Sequence, residues 1–126
     1  MSNQQQSSGN NYIYWYDSVS LANIAEVGGK NASLGEMISN MTKENIRVPV
    51  GFAISAQMYR DFLSQNNLNE AISEQLLALS QDSQTLAQAG SSIRKIISEG
   101  IFTDLQKSLI ESAYRQLCEE TKQHNL

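Results

Sequence analysis

The chain has 126 residues, with nine Lys and Arg against thirteen Asp and Glu, a formal net charge of -4, one cysteine and one histidine. That length suits one domain with a real core, and is short for an enzyme with a deep cleft and several substrates. The absence of a basic stripe argues against nucleic acid or anionic membrane as partner, and a lone Cys118 can build neither an internal disulfide nor a thiolate metal site.

The opening residues, "MSNQQQSSGN", are polar and uncharged, lack the basic start and apolar run of a signal peptide, and read as a disordered tail over 1–11. No stretch approaches the roughly 18 apolar residues of a membrane span, so the expected address is the cytoplasm. "YIYWYDSV", residues 12–19, predicts a strand near a sheet edge, with Tyr12, Tyr14 and Tyr16 on one face and Ile13 and Trp15 on the other. Next come two glycines, Gly28 and Gly29, at the N-terminal entrance of a helix whose inward stripe is Leu34, Met37, Ile38 and Met41. "VPVGFAIS" then alternates as a second strand, with Val48, Val50, Phe52 and Ile54 expected against that helix.

The remainder reads as helical. Ser55 caps a helix carrying Tyr59, Phe62 and Leu63 inward, and "SQNNLN" ends it. Asn69 is the expected cap of a helix facing inward with Ile72, Leu76 and Leu79, and Asp82 that of a helix with Leu86, Ala89, Ile93, Ile96 and Ile97. Gly90 within it predicts a close helix crossing, and Gly100 stops it. Thr103 and Gln106 make a capping box for a last helix that buries Leu105, Leu109, Ala113 and Leu117. Cys118 reads as a small packing residue of that helix. The order strand, helix, strand, then four helices is an α+β pattern with few strands for a complete sheet.

The stretch that carries chemistry is "VGGKNASLGEM", residues 27–37. Helix N-termini expose unpaired N–H groups and about half a positive charge, so they attract anions. Gly28 and Gly29 allow a phosphate to approach the backbone, and Lys30 adds a point charge. Gly-Gly-Lys is not the full P-loop pattern, and an ordinary turn beside a solvated lysine is the competing reading. Glu36 reads as surface, as a cap with Ser33, or as a carboxylate orienting Lys30. His124 lies in a polar tail without an orienting partner, and Glu111, Glu119 and Glu120 belong to a solvated helix face. No nucleophile–base pair or metal cluster is legible, so no catalytic or metal-binding residue is assigned.

Read whole, "VGGKNASLGEM" followed by "RVPVGFAISAQMYRDFL", "LAQAGSSIRKII" and "LQKSLIESAYRQL" resembles the start of the phosphoenolpyruvate synthases. More broadly, it resembles the nucleotide-binding domain of the pyruvate phosphate dikinase group, from Tyr12 to about Leu117. The resemblance implies an ATP-grasp fold in an enzyme that converts ATP, pyruvate and water to phosphoenolpyruvate, AMP and phosphate, using Mg2+ and a phosphohistidine. It implies that Lys30 contacts the ATP phosphates while Gly28 and Gly29 shape the loop. Val50 departs from the Pro-Pro-Gly-Phe or Pro-Gly-Gly-Phe usual in the family.

Missing are the family's next strand with its Val-Arg-Ser motif, its acidic metal-binding part, its phosphohistidine domain and its pyruvate-binding barrel. The expectation is therefore an amino-terminal piece, excised or encoded by a truncated reading frame: an incomplete ATP-grasp-type domain over 12–122, with two or three short strands, a largely helical C-terminal half and a frayed tail over 123–126. Such a piece is expected to be inactive alone, to have its ATP and Mg2+ site completed by parts outside the chain, to meet pyruvate only within the whole enzyme, and to self-associate weakly. Other readings are the nucleotide domain of a pyruvate phosphate dikinase or an antibiotic phosphotransferase, and a non-catalytic helical interaction module.

Overall fold

The computed structural model describes residues 11–123, so the tail expected over 1–11 falls outside the described residues except for Asn11, and His124 falls outside with the end of the C-terminal tail. The elements are β1 (Ile13–Trp15), α1 (Ile24–Lys43), β2 (Phe52–Ile54), α2 (Ala56–Gln65), α3 (Leu68–Ser80), α4 (Leu86–Ser98) and α5 (Asp104–Gln123), with 3-10 turns at Tyr16–Ser18 and Leu21–Asn23. Among the described residues this is a mostly helical α+β chain with one two-stranded sheet. It divides into two compact units, one of Tyr59–Phe102 and the other of the residues on either side.

In the first unit β1 and β2 are antiparallel, in the register Ile13 to Ile54, Tyr14 to Ala53 and Trp15 to Phe52. Side chains alternate across the pleat, so Trp15 and Phe52 share a face, their rings 5.3 Å apart, while Tyr14 and Ala53 share the other. Val19, Val27, Ala32 and Ala53 form the core cluster, and Tyr14 and Tyr16 pack on it. The strand expected over 12–19 stops at Trp15 because the chain turns into a 3-10 segment, yet Tyr14 and Tyr16 still reach the same core.

The second strand is also shorter than the alternation over 48–54 predicts, with residues 48–51 outside any regular element. Its inward residue is Ala53, 5% exposed, whereas Ile54 is 47% exposed, which corrects the expected face of Val48, Val50, Phe52 and Ile54. On α1 the expected Ile38 is buried and Leu34 and Met41 are half-buried, but Met37 is 46% exposed, and Val27, Ala32 and Gly35 are buried beside Ile38. The cause is a close approach of main chains. A Cβ built on Gly35 would lie 2.8 Å from the carbonyl carbon of Val19, so α1 rests on the Val19 backbone at a separation that only glycine permits. The small residues Ala32 and Gly35 therefore stand on the inward face beside Val27 and Ile38.

Ser55 caps α2 as expected: its buried Oγ accepts from the Met58 N–H at 3.3 Å and donates to the Asn11 carbonyl. The Thr103–Gln106 capping box is also present, with Gln106 N–H on Thr103 Oγ1 at 3.1 Å and Thr103 N–H on Gln106 Oε1 at 3.0 Å. The buried face of α5 follows expectation at Leu109, Ala113 and Leu117 and departs from it only in the first turn. Gln106 is 1% exposed and Leu105 50%, because the capping glutamine itself turns inward, while Ala113 is buried and Leu109 and Leu117 are half-buried.

In the second unit α3 packs along α4. Asn67, in the left-handed region at φ 56°, is the N-cap residue of α3, and Asn69 lies inside the first turn, donating to Ser64 Oγ. Thr85 and Gln88 form the capping box of α4, while Asp82 takes a left-handed turn conformation at φ 57°. Both corrections have one origin, since a left-handed residue is favoured where one helix hands over to another, and Asn and Asp tolerate it. Leu68 and Ala89 are the buried anchors of these helices, whereas Leu76 and Leu86 are exposed. A Cβ on Gly90 would meet only the Arg94 side chain, so Gly90 does not serve a helix crossing. Gly100 instead seats the Phe62 ring, which lies 5.1 Å from that of Phe102. Asn66 clamps the Ile101 backbone through both amide atoms, at 2.9 and 3.0 Å.

Candidate functional site

α1 is broken at Gly28, whose φ of 83° and ψ of 163° interrupt the helix one turn after its start. This region of backbone space is essentially reserved for glycine. Gly28 and Gly29 are exposed, and a Cβ on either would meet nothing within 4 Å. Lys30 follows on the open surface and makes no ion pair among the described residues. The break thus sets two bare glycines and a free ammonium at the start of the long helical segment that runs on to Lys43. Such a segment favours an anion at this end.

Behind the break the chain is tied down. Val27 and Ala32 are buried, and Asn31 Nδ2 donates to the Val27 carbonyl at 2.9 Å. The Tyr16 hydroxyl donates to Asn31 Oδ1 at 3.1 Å, its ring lies on Gly51, and its backbone N–H donates to the Gly51 carbonyl at 3.0 Å. Neither Tyr16 nor Asn31 stands out as a site residue in the sequence. The signal available was local: an Asn directly after Gly-Gly-Lys, able to satisfy a carbonyl left over at a helix break.

The other sequence candidates go elsewhere. Glu36 accepts from the Leu21 N–H at 3.2 Å, so it holds the preceding 3-10 turn instead of capping with Ser33 or orienting Lys30. The Glu26 carboxylate has a buried oxygen without a hydrogen-bond partner among the described residues. Glu111 pairs with Arg115 at 3.9 Å on open surface, an interaction of little weight, and Glu120 accepts from Gln116 at 3.2 Å. Cys118 is half-buried and free. Among the described residues no group of three or more His, Cys, Asp or Glu is placed to hold a metal, and no helix is long and apolar enough to cross a membrane. A cleft of about 410 Å3 between Trp15, Ile38, Val48, Val50 and Gln116 does not include Lys30.

The geometry gives one exchange that separates the two glycines. Gly28→Ala is expected to cost about 1–3 kcal/mol because an L side chain is strained at that backbone conformation, whereas Gly29→Ala should be neutral or stabilising by up to ~1 kcal/mol. Thermal unfolding of the two variants checks this, and equal melting temperatures would show that the break is not fixed at Gly28.

The geometry thus leaves an exposed glycine pair and an exposed lysine at a helix start. The family described as pyruvate phosphate dikinase, AMP/ATP-binding domain matches residues 24–126, and the chain belongs to it. It is 43% identical over 108 residues to the phosphoenolpyruvate synthase of Neisseria meningitidis serogroup B, covering 85% of this chain and 14% of that protein. The phosphoenolpyruvate synthase of Pseudomonas aeruginosa is 44% identical over 107 residues, covering 84% of this chain and 14% of that protein. That of Escherichia coli is 41% identical over 106 residues, covering 83% and 13%. The chain therefore spans about one seventh of the length of these curated relatives.

Proposed function

We propose that this chain is the nucleotide-binding segment of a phosphoenolpyruvate synthase, with residues 12–122 forming the amino-terminal part of an ATP-grasp-type domain. The whole enzyme converts ATP, pyruvate and water to phosphoenolpyruvate, AMP and phosphate in the cytoplasm. The observation that carries the reading is the open Gly28–Gly29–Lys30 turn at a helix start, in a chain of the AMP/ATP-binding family. Gly28 and Gly29 let phosphate oxygens approach the backbone, and Lys30 neutralises one of them. Among the described residues no group of three or more His, Cys, Asp or Glu is placed to hold a metal. In this reading the metal and pyruvate are held by other parts of the enzyme.

Phosphoryl transfer depends on positioning and on charge stabilisation from several directions. Lys30 supplies one direction, from open surface, in a chain of net charge -4. A single such contact does not offset the several kcal/mol of translational and rotational freedom that a ligand loses on binding. Residues 1–126 alone are therefore expected to bind Mg-ATP no more tightly than about millimolar by isothermal titration. Micromolar binding that disappears in Lys30→Ala would show that the site is complete within this chain.

The test of the function itself is a graft in which residues 12–123 replace the matching stretch of the Escherichia coli phosphoenolpyruvate synthase. The reading expects a folded graft that consumes ATP in the presence of pyruvate. A folded graft without that activity, beside an active parent, would overturn it.

A further inference from the structure

The hydrogen bonds behind the broken helix form a chain that crosses the break. Val27 lies before Gly28 and Asn31 after it, and the Asn31 side chain joins them by donating to the Val27 carbonyl at 2.9 Å. A carbonyl only accepts, so the amide nitrogen of Asn31 must face Val27 and its oxygen must face Tyr16. Tyr16 is then the donor, at 3.1 Å. Tyr16 is itself immobilised from two sides, by its N–H on the Gly51 carbonyl and by its ring against Gly51, where a Cβ would come within 2.7 Å of the ring edge.

Gly28 has no side chain to restrict it, so its backbone is the soft point of the turn. The segment that carries Lys30 would be free to swing about that point if nothing spanned it. From this geometry we propose that Tyr16 and Asn31 are positioning residues for the phosphate-binding turn, fixing the Gly28 break so that the Lys30 ammonium stands where a nucleotide phosphate needs it. The inference rests on the phosphate reading of Lys30. Neither residue touches the nucleotide; both act through the lysine and the glycine backbone. Pre-positioning lowers the ordering cost of binding, so its loss should appear in the affinity for ATP more than in the chemical step.

The experiment is a double-mutant cycle in the graft, reading KM for ATP, kcat and melting temperature for Tyr16→Phe, Asn31→Ala, Asn31→Asp and Lys30→Ala, singly and combined. Tyr16→Phe keeps the ring on Gly51 and removes only the hydroxyl. Asn31→Asp keeps the shape but turns a second acceptor on the Val27 carbonyl, so it should behave like Asn31→Ala. Each is expected to raise KM for ATP about three- to tenfold with kcat within about twofold, the size of one lost hydrogen bond. In the Lys30→Ala background the same exchanges should add less than about twofold, because their effect passes through the lysine.

Equal factors with and without Lys30 would overturn the proposal, since the residues would then act on the fold alone. A large Lys30→Ala loss beside parental KM values for Tyr16→Phe and Asn31→Asp would also overturn it and leave the phosphate reading intact. Parental kinetics in Lys30→Ala itself would remove the phosphate reading. If the Asn31 variants do not fold, Tyr16→Phe, which loses one oxygen, decides the matter.

Discussion

Replacing Lys30 with alanine in the grafted enzyme is expected to cut kcat/KM for ATP about ten- to a hundredfold while leaving the melting temperature within about 2 °C. The magnitude is that of one charge-assisted contact, about 1.5–3 kcal/mol at 1.36 kcal/mol per tenfold. The lack of a stability effect follows from the surroundings: Lys30 is exposed and makes no ion pair among the described residues, so the fold does not depend on it. Lys30→Arg keeps the charge but replaces a compact ammonium with a planar fork, and partial rescue is expected. Steady-state kinetics over a range of ATP concentrations checks this. Normal ATP kinetics in Lys30→Ala would return Gly-Gly-Lys to an ordinary turn.

The largest stability effect is expected at Gly35. Glycine to alanine at an open helix position adds about 1 kcal/mol, and Gly29 is such a position. At Gly35 the sign reverses. The new methyl group would lie 2.8 Å from the carbonyl carbon and Cβ of Val19, and the neighbour that must give is backbone of a residue only 2% exposed. Overpacking of this kind costs about 1–3 kcal/mol or more, so Gly35→Ala should lower the melting temperature by roughly 10 °C. Thermal unfolding of the 126-residue chain followed by circular dichroism measures it. A Gly35→Ala chain as stable as Gly29→Ala would mean that α1 does not rest on the Val19 backbone.

The contrast between Gly35 and Lys30 also shows how far the sequence could be read. Local chemistry was legible wherever it stayed local. Ser55 as cap of α2, the Thr103–Gln106 box, and glycines at a helix start followed by an exposed lysine depend on contacts a few residues apart. The motif order around Lys30 likewise carried the family, which the match over residues 24–126 bears out.

What the sequence by itself determined is therefore the set of helices, the position of the glycine turn and the kinship of the chain. Only the tertiary structure decided which faces turn inward. Periodicity ranks residues by hydrophobicity and so chose the exposed Met37 and Ile54 along with the buried Ile38, but the core selects by distance. Where α1 meets the Val19 backbone there is room for Ala32 and Gly35 and none for a leucine. Only the tertiary structure also joined Tyr16 to Asn31, fifteen residues apart, across the break at Gly28. A hydrogen bond between segments is fixed by where the chain returns in space, which depends on all the intervening packing at once, and no window of sequence contains it.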